Sequence, residues 1–167
     1  YKAPIGVAGT HGKTTTSGMI SSIIAASGAD YSAIIGGKVK QLESSYIIGK
    51  EDNYCVFESC EYKDSYHSFR PFVSVILNIA EDHMEYFKTL ENLIGSFKKY
   101  LRNTKDGGTV VYNAECENSL TMIDDYSGQK VSYGIVRGEV TASDIFVRNG
   151  LYYFTVMYHG EKFCDVS

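Results

Sequence analysis

The sequence predicts an α/β fold with a mostly parallel sheet flanked by helices and a C-terminal antiparallel hairpin extension. Short apolar runs alternate with segments of helical periodicity as far as Tyr133, which is typical of strands joined by crossover helices. A glycine-rich turn, residues 9–12, joins the first apolar run to the first helical segment. Beyond residue 140 the pattern changes to consecutive strands separated by turn residues, which favours antiparallel pairing.

The first part of the chain supplies a strand, a helix and two more strands. Residues 14–27 place isoleucine and methionine side chains on one stripe and therefore predict an amphipathic helix. We expect Gly36 and Gly37 to close the second strand, and residues 38–53 to form an irregular connection. The apolar runs predicted as strands are residues 5–8, 32–35 and 54–57.

The middle of the chain continues the alternation. Residues 73–77 form a dense β-branched run without alternation, which is typical of a strand buried on both faces of a parallel sheet. Thr89 is a suitable N-cap for a helix that extends to Leu101 at helical apolar spacing. The remaining elements of this part are strands at residues 109–112 and 130–133 and a weaker helix at 117–124.

The last thirty or so residues predict hairpins. Residues 144–148 and 151–158 are β-rich and flank Asn149-Gly150, the dipeptide that most strongly indicates a two-residue hairpin turn. His159 and Gly160 form a second turn that leads into a third strand.

Composition limits the possible classes of function. The chain has 167 residues, 44% hydrophobic and 22% charged, which is ordinary for one globular domain. Its longest apolar stretch, residues 72–80, is too short to span a membrane. The net charge of −4 without a block of basic residues argues against binding of nucleic acid. The four cysteines are scattered without metal-ligand spacing, which favours reduced thiols and a cytoplasmic location.

The chain begins close to its first predicted strand and ends inside its last one. We therefore expect residues 1–167 to be a single domain of a longer, multi-domain protein, with further domains on both sides.

The strongest functional motif is the segment GTHGKTTT at residues 9–16, directly after the first apolar run. A glycine turn between a strand and a helix points backbone N–H groups at one position, where the helix dipole also favours an anion. Lys13 can reach the outer phosphates of a nucleotide, and the Thr14 hydroxyl can ligate Mg²⁺. Val7 occupies the position of the first Walker A glycine, so a glycine turn that binds nothing is the alternative. The predicted phosphate-binding residues are Gly9, Thr10, His11, Gly12, Lys13, Thr14 and Thr15.

A second group of polar residues follows two of the other predicted strands. Glu58 and Glu61 come after the strand at 54–57, and His83 comes shortly after the strand at 73–77. Ligands of open α/β sheets collect at the carboxyl ends of the strands. We therefore expect these side chains to share Mg²⁺ ions with Thr14 and the nucleotide. A solvated glutamate and a hydrogen-bonded histidine are the simpler alternatives.

Three segments together resemble the central ATPase domain of the Mur ligases. They are GTHGKTTT at 9–16, ESCEY at 58–62 and LNIAEDHME at 77–85, and the resemblance covers essentially the whole chain. It implies that ATP and Mg²⁺ are bound and that Lys13 and His83 are catalytic. It further implies the following roles: Lys13 and Asn78 at the nucleotide, Thr14 and Glu58 at the first Mg²⁺, His83 at the second, and Glu61 near the sugar substrate.

Within that family, His11 resembles the branch that acts on UDP-N-acetylmuramate. The implied reaction joins L-alanine to UDP-N-acetylmuramate through an acyl phosphate, in peptidoglycan synthesis. Four alternatives stay open: a recycling ligase that attaches a tripeptide, a folylpolyglutamate synthetase-like ligase, a small-molecule kinase, and a non-catalytic nucleotide-binding module. Cys60 replaces an aspartate of the family pattern. Lys98 lies near the position of a lysine that some members carbamylate, and we expect it to be an ordinary helical lysine.

Overall fold

The computed structural model describes residues 1–39 and 44–167. Its strands form a single ten-stranded sheet. The strands are β1 (Ala3–Ala8), β2 (Tyr31–Val39), β3 (Ser44–Ile47), β4 (Tyr54–Ser59), β5 (Val73–Ile76), β6 (Thr109–Asn113), β7 (Gln129–Tyr133), β8 (Val140–Arg148), β9 (Leu151–Tyr158) and β10 (Glu161–Val166). The helices are α1 (Lys13–Ala26), a 3₁₀ segment (Tyr62–Ser68), α2 (Met84–Phe87), α3 (Leu90–Leu101) and α4 (Glu117–Ile123). None of these helices combines the length and the hydrophobicity needed to cross a membrane.

The strand order is β10-β9-β8-β7-β6-β5-β1-β4-β2-β3. Parallel pairing runs from β2 through β4, β1, β5 and β6 to β7. The β8–β9 and β9–β10 pairs are antiparallel and extend one edge of the sheet. The predicted fold class is therefore confirmed: the sheet is mostly parallel, helices flank it, and hairpins extend it at the C-terminus.

The two main crossover helices lie on opposite faces of the sheet. Helix α1 connects β1 to β2, toward one edge, whereas α3 connects β5 to β6, toward the other edge. Because crossovers between parallel strands are right-handed, connections in opposite directions cover opposite faces. The neighbouring strands β1 and β5 thus form a topological switch point, where their carboxyl ends leave a crevice suited to a ligand.

A hydrophobic core fills each face. The larger one is built around α3, whose Leu93, Phe97 and Tyr100 are fully buried with Ile76 and Val110 of the sheet. The smaller one contains Ala33, Ile35 and Val56, against which Ile20 and Ile24 of α1 pack.

The region around β2 and β3 differs from the sequence-based prediction. The interval 38–53, expected to be irregular, contains β3, and β2 continues through Gly36 and Gly37 to Val39. Both differences have one cause: β2 and β3 pair antiparallel, with Ala33 opposite Ile47, and this pairing supplies backbone partners beyond the glycines. Part of the expected connection, residues 40–43, lies outside the described residues.

Strand β8 begins at Val140 rather than at residue 144. The β8–β9 register shifts between Ser143 and Phe146, and Asp144 has a φ of 51°. This β-bulge interrupts the alternation of the strand and hides its first half from a period-two pattern. The turn prediction is confirmed, since Asn149 and Gly150 have φ values of 53° and 77° and join the paired strands β8 and β9.

Candidate active site

The glycine loop lies at the switch point between β1 and β5, clamped to the segment that follows β5. The Thr10 amide donates to the carbonyl oxygen of Asn78 (3.0 Å), and the Ala80 amide donates to Thr10 Oγ1 (2.9 Å). The Asn78 side chain accepts from the His11 amide (2.9 Å) and donates to the His11 carbonyl oxygen (3.0 Å). These bonds fix the loop conformation between its strand and its helix.

Two glycines permit this conformation. Gly9 has a φ of +143°, and a Cβ there would lie 3.0 Å from Leu77 Cβ and 3.1 Å from the Asn78 backbone. Gly12 is the N-cap of α1 with a φ of 87°. Because both values lie in the left-handed region, other residues would strain the loop, and at Gly9 they would also collide with the segment that follows β5.

Lys13 lies at the start of α1 and turns back over the loop. Its Nζ donates to the carbonyl oxygens of Gly9 (2.6 Å) and Thr10 (3.1 Å). It also forms an ion pair with Glu61 at 3.0 Å, and the two side chains are 16% and 1% exposed. An ammonium so held is pre-oriented at the loop mouth, and the buried carboxylate supplies the opposite charge.

Thr14 and Glu58 meet beside the loop. Thr14 Oγ1 donates to Glu58 Oε2 at 3.2 Å, and the Gly36 amide of β2 donates to Glu58 Oε1 at 2.5 Å. A hydroxyl and a carboxylate in contact are oxygen ligands of the kind that Mg²⁺ prefers.

A third group combines Glu61, Asp82 and His83, whose potential ligand atoms all lie within 4.8 Å of one another. His83 is the N-cap of the short helix α2 with a φ of 53°, and its ring packs against Tyr62 with centroids 4.5 Å apart. Two carboxylates and an imidazole at this separation can hold a divalent cation. Glu61 belongs both to this group and to the ion pair with Lys13, so it joins the cluster to the loop.

A hydrogen-bonded brace holds the 3₁₀ segment against α2 and α3. Asp64 accepts from Tyr86 Oη at 2.7 Å and from Ser96 Oγ, and it adopts a φ of 57°. Burial would raise the pKa of the Asp64 carboxyl, but the hydrogen bonds from Ser96 and Tyr86 outweigh it and hold that pKa below its usual 3.8. Tyr86 in turn packs edge-on against Tyr62, the ring that contacts His83.

The structure brings together most of the residues singled out in the sequence, from three strand ends and one helix start. His11 on the loop, Thr15 in the first turn of α1 and Cys60 after β4 are exposed. Lys98 lies elsewhere, on α3, where its Nζ forms an ion pair with Asp125 at 2.6 Å.

Sequence reasoning did not single out Gly36 and Tyr62 and gave Asp82 no ligand role. Asp82 stands next to His83 in the chain, and that adjacency was an available signal. Gly36 and Tyr62 carried no such signal, because their contacts with Glu58 and His83 join separate elements.

The fold and the site together define an α/β domain of the phosphate-loop class. Residues 7–166 match the Mur ligase middle domain family. The chain belongs to this family, as the sequence resemblance predicted.

Named relatives agree with this assignment. The chain is 37% identical over its whole length to the UDP-N-acetylmuramate–L-alanine ligase of Acetivibrio thermocellus, of which it covers 36%. It is 39% identical to the enzyme of the same name from Caldicellulosiruptor saccharolyticus, over 94% of the chain and 34% of the relative. The crystal structure of UDP-N-acetylmuramate-alanine ligase from Thermotoga maritima superposes with a TM-score of 0.83 at 26% identity, over 99% of this chain and 36% of that one. The chain thus spans about a third of the length of these relatives.

Proposed function

We propose that this chain is the ATP-binding domain of a ligase that joins L-alanine to UDP-N-acetylmuramate in peptidoglycan synthesis. The observation that carries the proposal is the convergence of Lys13, the Thr14–Glu58 pair and the Glu61–Asp82–His83 group at one crevice. The family membership and the names of the relatives supply the substrates.

The proposed reaction has two steps. An oxygen of the lactyl carboxylate attacks the γ-phosphorus of ATP, and the bond to the ADP oxygen breaks as the acyl phosphate forms. The amine of L-alanine then attacks the acyl carbon, loses a proton, and expels inorganic phosphate. No nucleophile from the protein is needed, so the protein contributes positioning and charge.

Lys13 supports the first step. Carboxylate and γ-phosphate are both anionic, and their approach requires positive charge between or beside them. The Lys13 ammonium lies over the loop that would hold the β- and γ-phosphates, within hydrogen-bond distance of two loop carbonyls. Gly9, Thr10, His11, Gly12 and Thr15 would contribute backbone N–H groups, and Asn78 would hold the loop in shape.

The donor sets fit magnesium. Thr14 and Glu58 would hold one ion, and His83 with Glu61 or Asp82 would hold a second, although imidazole is a less usual magnesium ligand than oxygen. Bound there, Mg²⁺ would neutralise phosphate charge during transfer. Glu61, 1% exposed and shared with Lys13, would also face the sugar substrate.

The proposal includes the setting of the domain. The relatives are about three times as long as the chain, and we propose that flanking domains bind the UDP moiety and complete the ATP site. The four cysteines are all free, which fits a cytoplasmic enzyme.

The test measures the release of inorganic phosphate from ATP by the full-length protein in the presence of UDP-N-acetylmuramate. This release should depend on L-alanine. Lys13→Met should lower turnover by roughly 10²- to 10³-fold, because it removes a charge aimed at the transition state. Lys162→Met, at an exposed side chain of strand β10, is the matched control and should leave turnover unchanged. Wild-type turnover of Lys13→Met would reject the proposal.

Lys13→Met also leaves the buried Glu61 carboxylate without its cation, so stability has to be separated from catalysis. The double variant Lys13→Met/Glu61→Gln removes that buried charge as well. We expect it to recover melting temperature without recovering turnover. Replacement of L-alanine by the tripeptide in the same assay tests the recycling alternative, and activity only with the tripeptide would favour it.

A further inference from the structure

The Glu58 carboxylate is held by a backbone group of the neighbouring strand β2. Glu58 is near the end of β4, and β2 is the neighbouring parallel strand, with Ile34 opposite Phe57. Two residues further along β2, the Gly36 amide donates to Glu58 Oε1 at 2.5 Å. The other oxygen, Oε2, accepts from Thr14 Oγ1 at 3.2 Å. Each carboxylate oxygen therefore has a different partner.

The absence of a side chain at Gly36 is what makes room for this carboxylate. A Cβ at that position would lie 2.9 Å from Glu58 Oε2, 3.1 Å from Oε1 and 3.2 Å from Cδ. Contacts this short force one partner to move, and here the partner is the end of a flexible side chain rather than backbone. The carboxylate would move, and the strand would stay in place.

We propose that Gly36 is a positioning residue for Glu58: its amide anchors one carboxylate oxygen, and its missing side chain lets the other face Thr14. The inference rests on the proposed function, in which Thr14 and Glu58 hold Mg²⁺. Groups that orient a metal ligand influence metal affinity strongly, by about 10- to 100-fold when they are changed.

Gly36→Ala is a selective probe because its backbone does not require glycine. Gly36 is not among the glycines with positive φ, so alanine fits the strand conformation. The variant should therefore fold and should retain a near-parent melting temperature. Gly95→Ala is a matched control, because a Cβ at Gly95 on α3 would meet nothing within 4 Å.

The experiment measures how the affinity of the full-length protein for β,γ-imido-ATP depends on Mg²⁺ concentration, by calorimetry without turnover. For Gly36→Ala we expect the Mg²⁺ concentration at half effect to rise by about 10-fold or more, whereas Gly95→Ala should match the parent. An unchanged Mg²⁺ dependence in Gly36→Ala would overturn the inference.

A second variant tests the steric mechanism. Glu58→Asp shortens the side chain by one methylene and should make room for the added methyl. In the Gly36→Ala background, Glu58→Asp should therefore raise the Mg²⁺ concentration at half effect by a smaller factor than it does alone, which is a non-additive result. Simple additivity would contradict the steric account.

Glu58→Gln separates this inference from the proposed function. If it leaves the Mg²⁺ dependence unchanged, Glu58 is not a metal ligand and the proposed function fails at this residue. If Glu58→Gln raises the Mg²⁺ concentration at half effect while Gly36→Ala does not, the proposed function stands and only the role of Gly36 is rejected.

Discussion

Glu61 connects the two halves of the candidate site at the scale of single residues. It is 1% exposed, pairs with Lys13 at 3.0 Å, and also belongs to the group with Asp82 and His83. A buried carboxylate is tolerated where a cation compensates it. The same carboxylate can therefore hold Lys13 over the loop and offer an oxygen to a metal ion.

His83 gives the clearest prediction at this scale. His83→Asn removes the imidazole without straining the backbone. His83 has a φ of 53°, and asparagine tolerates this left-handed region. We expect turnover of the full-length protein to fall by roughly 10²-fold, as for loss of one group at a charged transition state, with little change in melting temperature. Lower stability with unchanged turnover in this variant would show that His83 has a structural role and not a catalytic one.

The 3₁₀ segment shows what a single element contributes. It has two consecutive residues with positive φ, Lys63 at 53° and Asp64 at 57°. Asp64 binds Tyr86 of α2 and Ser96 of α3, and the segment also carries Tyr62, which packs against His83. A strained turn thus persists because tertiary hydrogen bonds hold it, and it orients the Tyr62 ring beside the Glu61–Asp82–His83 group.

Tyr86→Phe removes the hydrogen bond from Tyr86 to Asp64, and its effect on melting temperature should depend on pH. The folded-state pKa of Asp64 lies below its usual 3.8. The ionised carboxylate therefore stabilises the fold above about pH 4, and this stabilisation is lost as the pH falls through the folded-state pKa. We expect Tyr86→Phe to lower the melting temperature at pH 7, by a difference that narrows below about pH 4. Melting curves from about pH 3 to pH 7 measure this, with Tyr152→Phe as the exposed control. A difference independent of pH would contradict the role of Asp64.

At the scale of the whole molecule, one sheet carries two cores and the site between them. The loop after β1 and the segment after β5 meet because these parallel strands are neighbours. The chain leaves the two strands in opposite directions, which opens the crevice at their carboxyl ends. The site is therefore sensitive to the cores that hold both crossover helices against the sheet.

Phe97→Ala tests the larger core. Phe97 is fully buried on α3 beside Tyr66 and Tyr100, so its truncation should cost about 3–5 kcal/mol of unfolding free energy. Because both cores share the sheet, we expect a single unfolding transition with its midpoint at a lower denaturant concentration. Ile23→Ala, at a side chain 69% exposed, should change the unfolding free energy by less than about 0.5 kcal/mol. Two separate transitions would show that the cores unfold independently.

The accuracy of sequence-based prediction followed the range of the interactions involved. The strand at 73–77 and the helix after Thr89 could be predicted because their patterns are local. Thr89 caps α3, since its side chain accepts a hydrogen bond from the Asn92 amide. Strand β3, the bulge at Asp144 and the 3₁₀ segment were not readable, because each depends on pairing or hydrogen bonds with another element. For the site, the strand-end rule placed Glu58, Glu61 and His83 in one region, but it could not find Gly36 or Tyr62.

The sequence by itself determined the order along the chain of the parallel strands and of helices α1, α3 and α4, the glycine loop with Lys13 and Thr14, the Asn149-Gly150 turn and the family of the chain. These features depend on short-range periodicity, on residues that tolerate positive φ and on contiguous motifs. Only the tertiary structure decided that β1 and β5 are neighbours, that Glu61 is buried against Lys13, and that the Gly36 amide holds Glu58. Those contacts join residues far apart in the chain, so they arise only when the whole sheet has assembled.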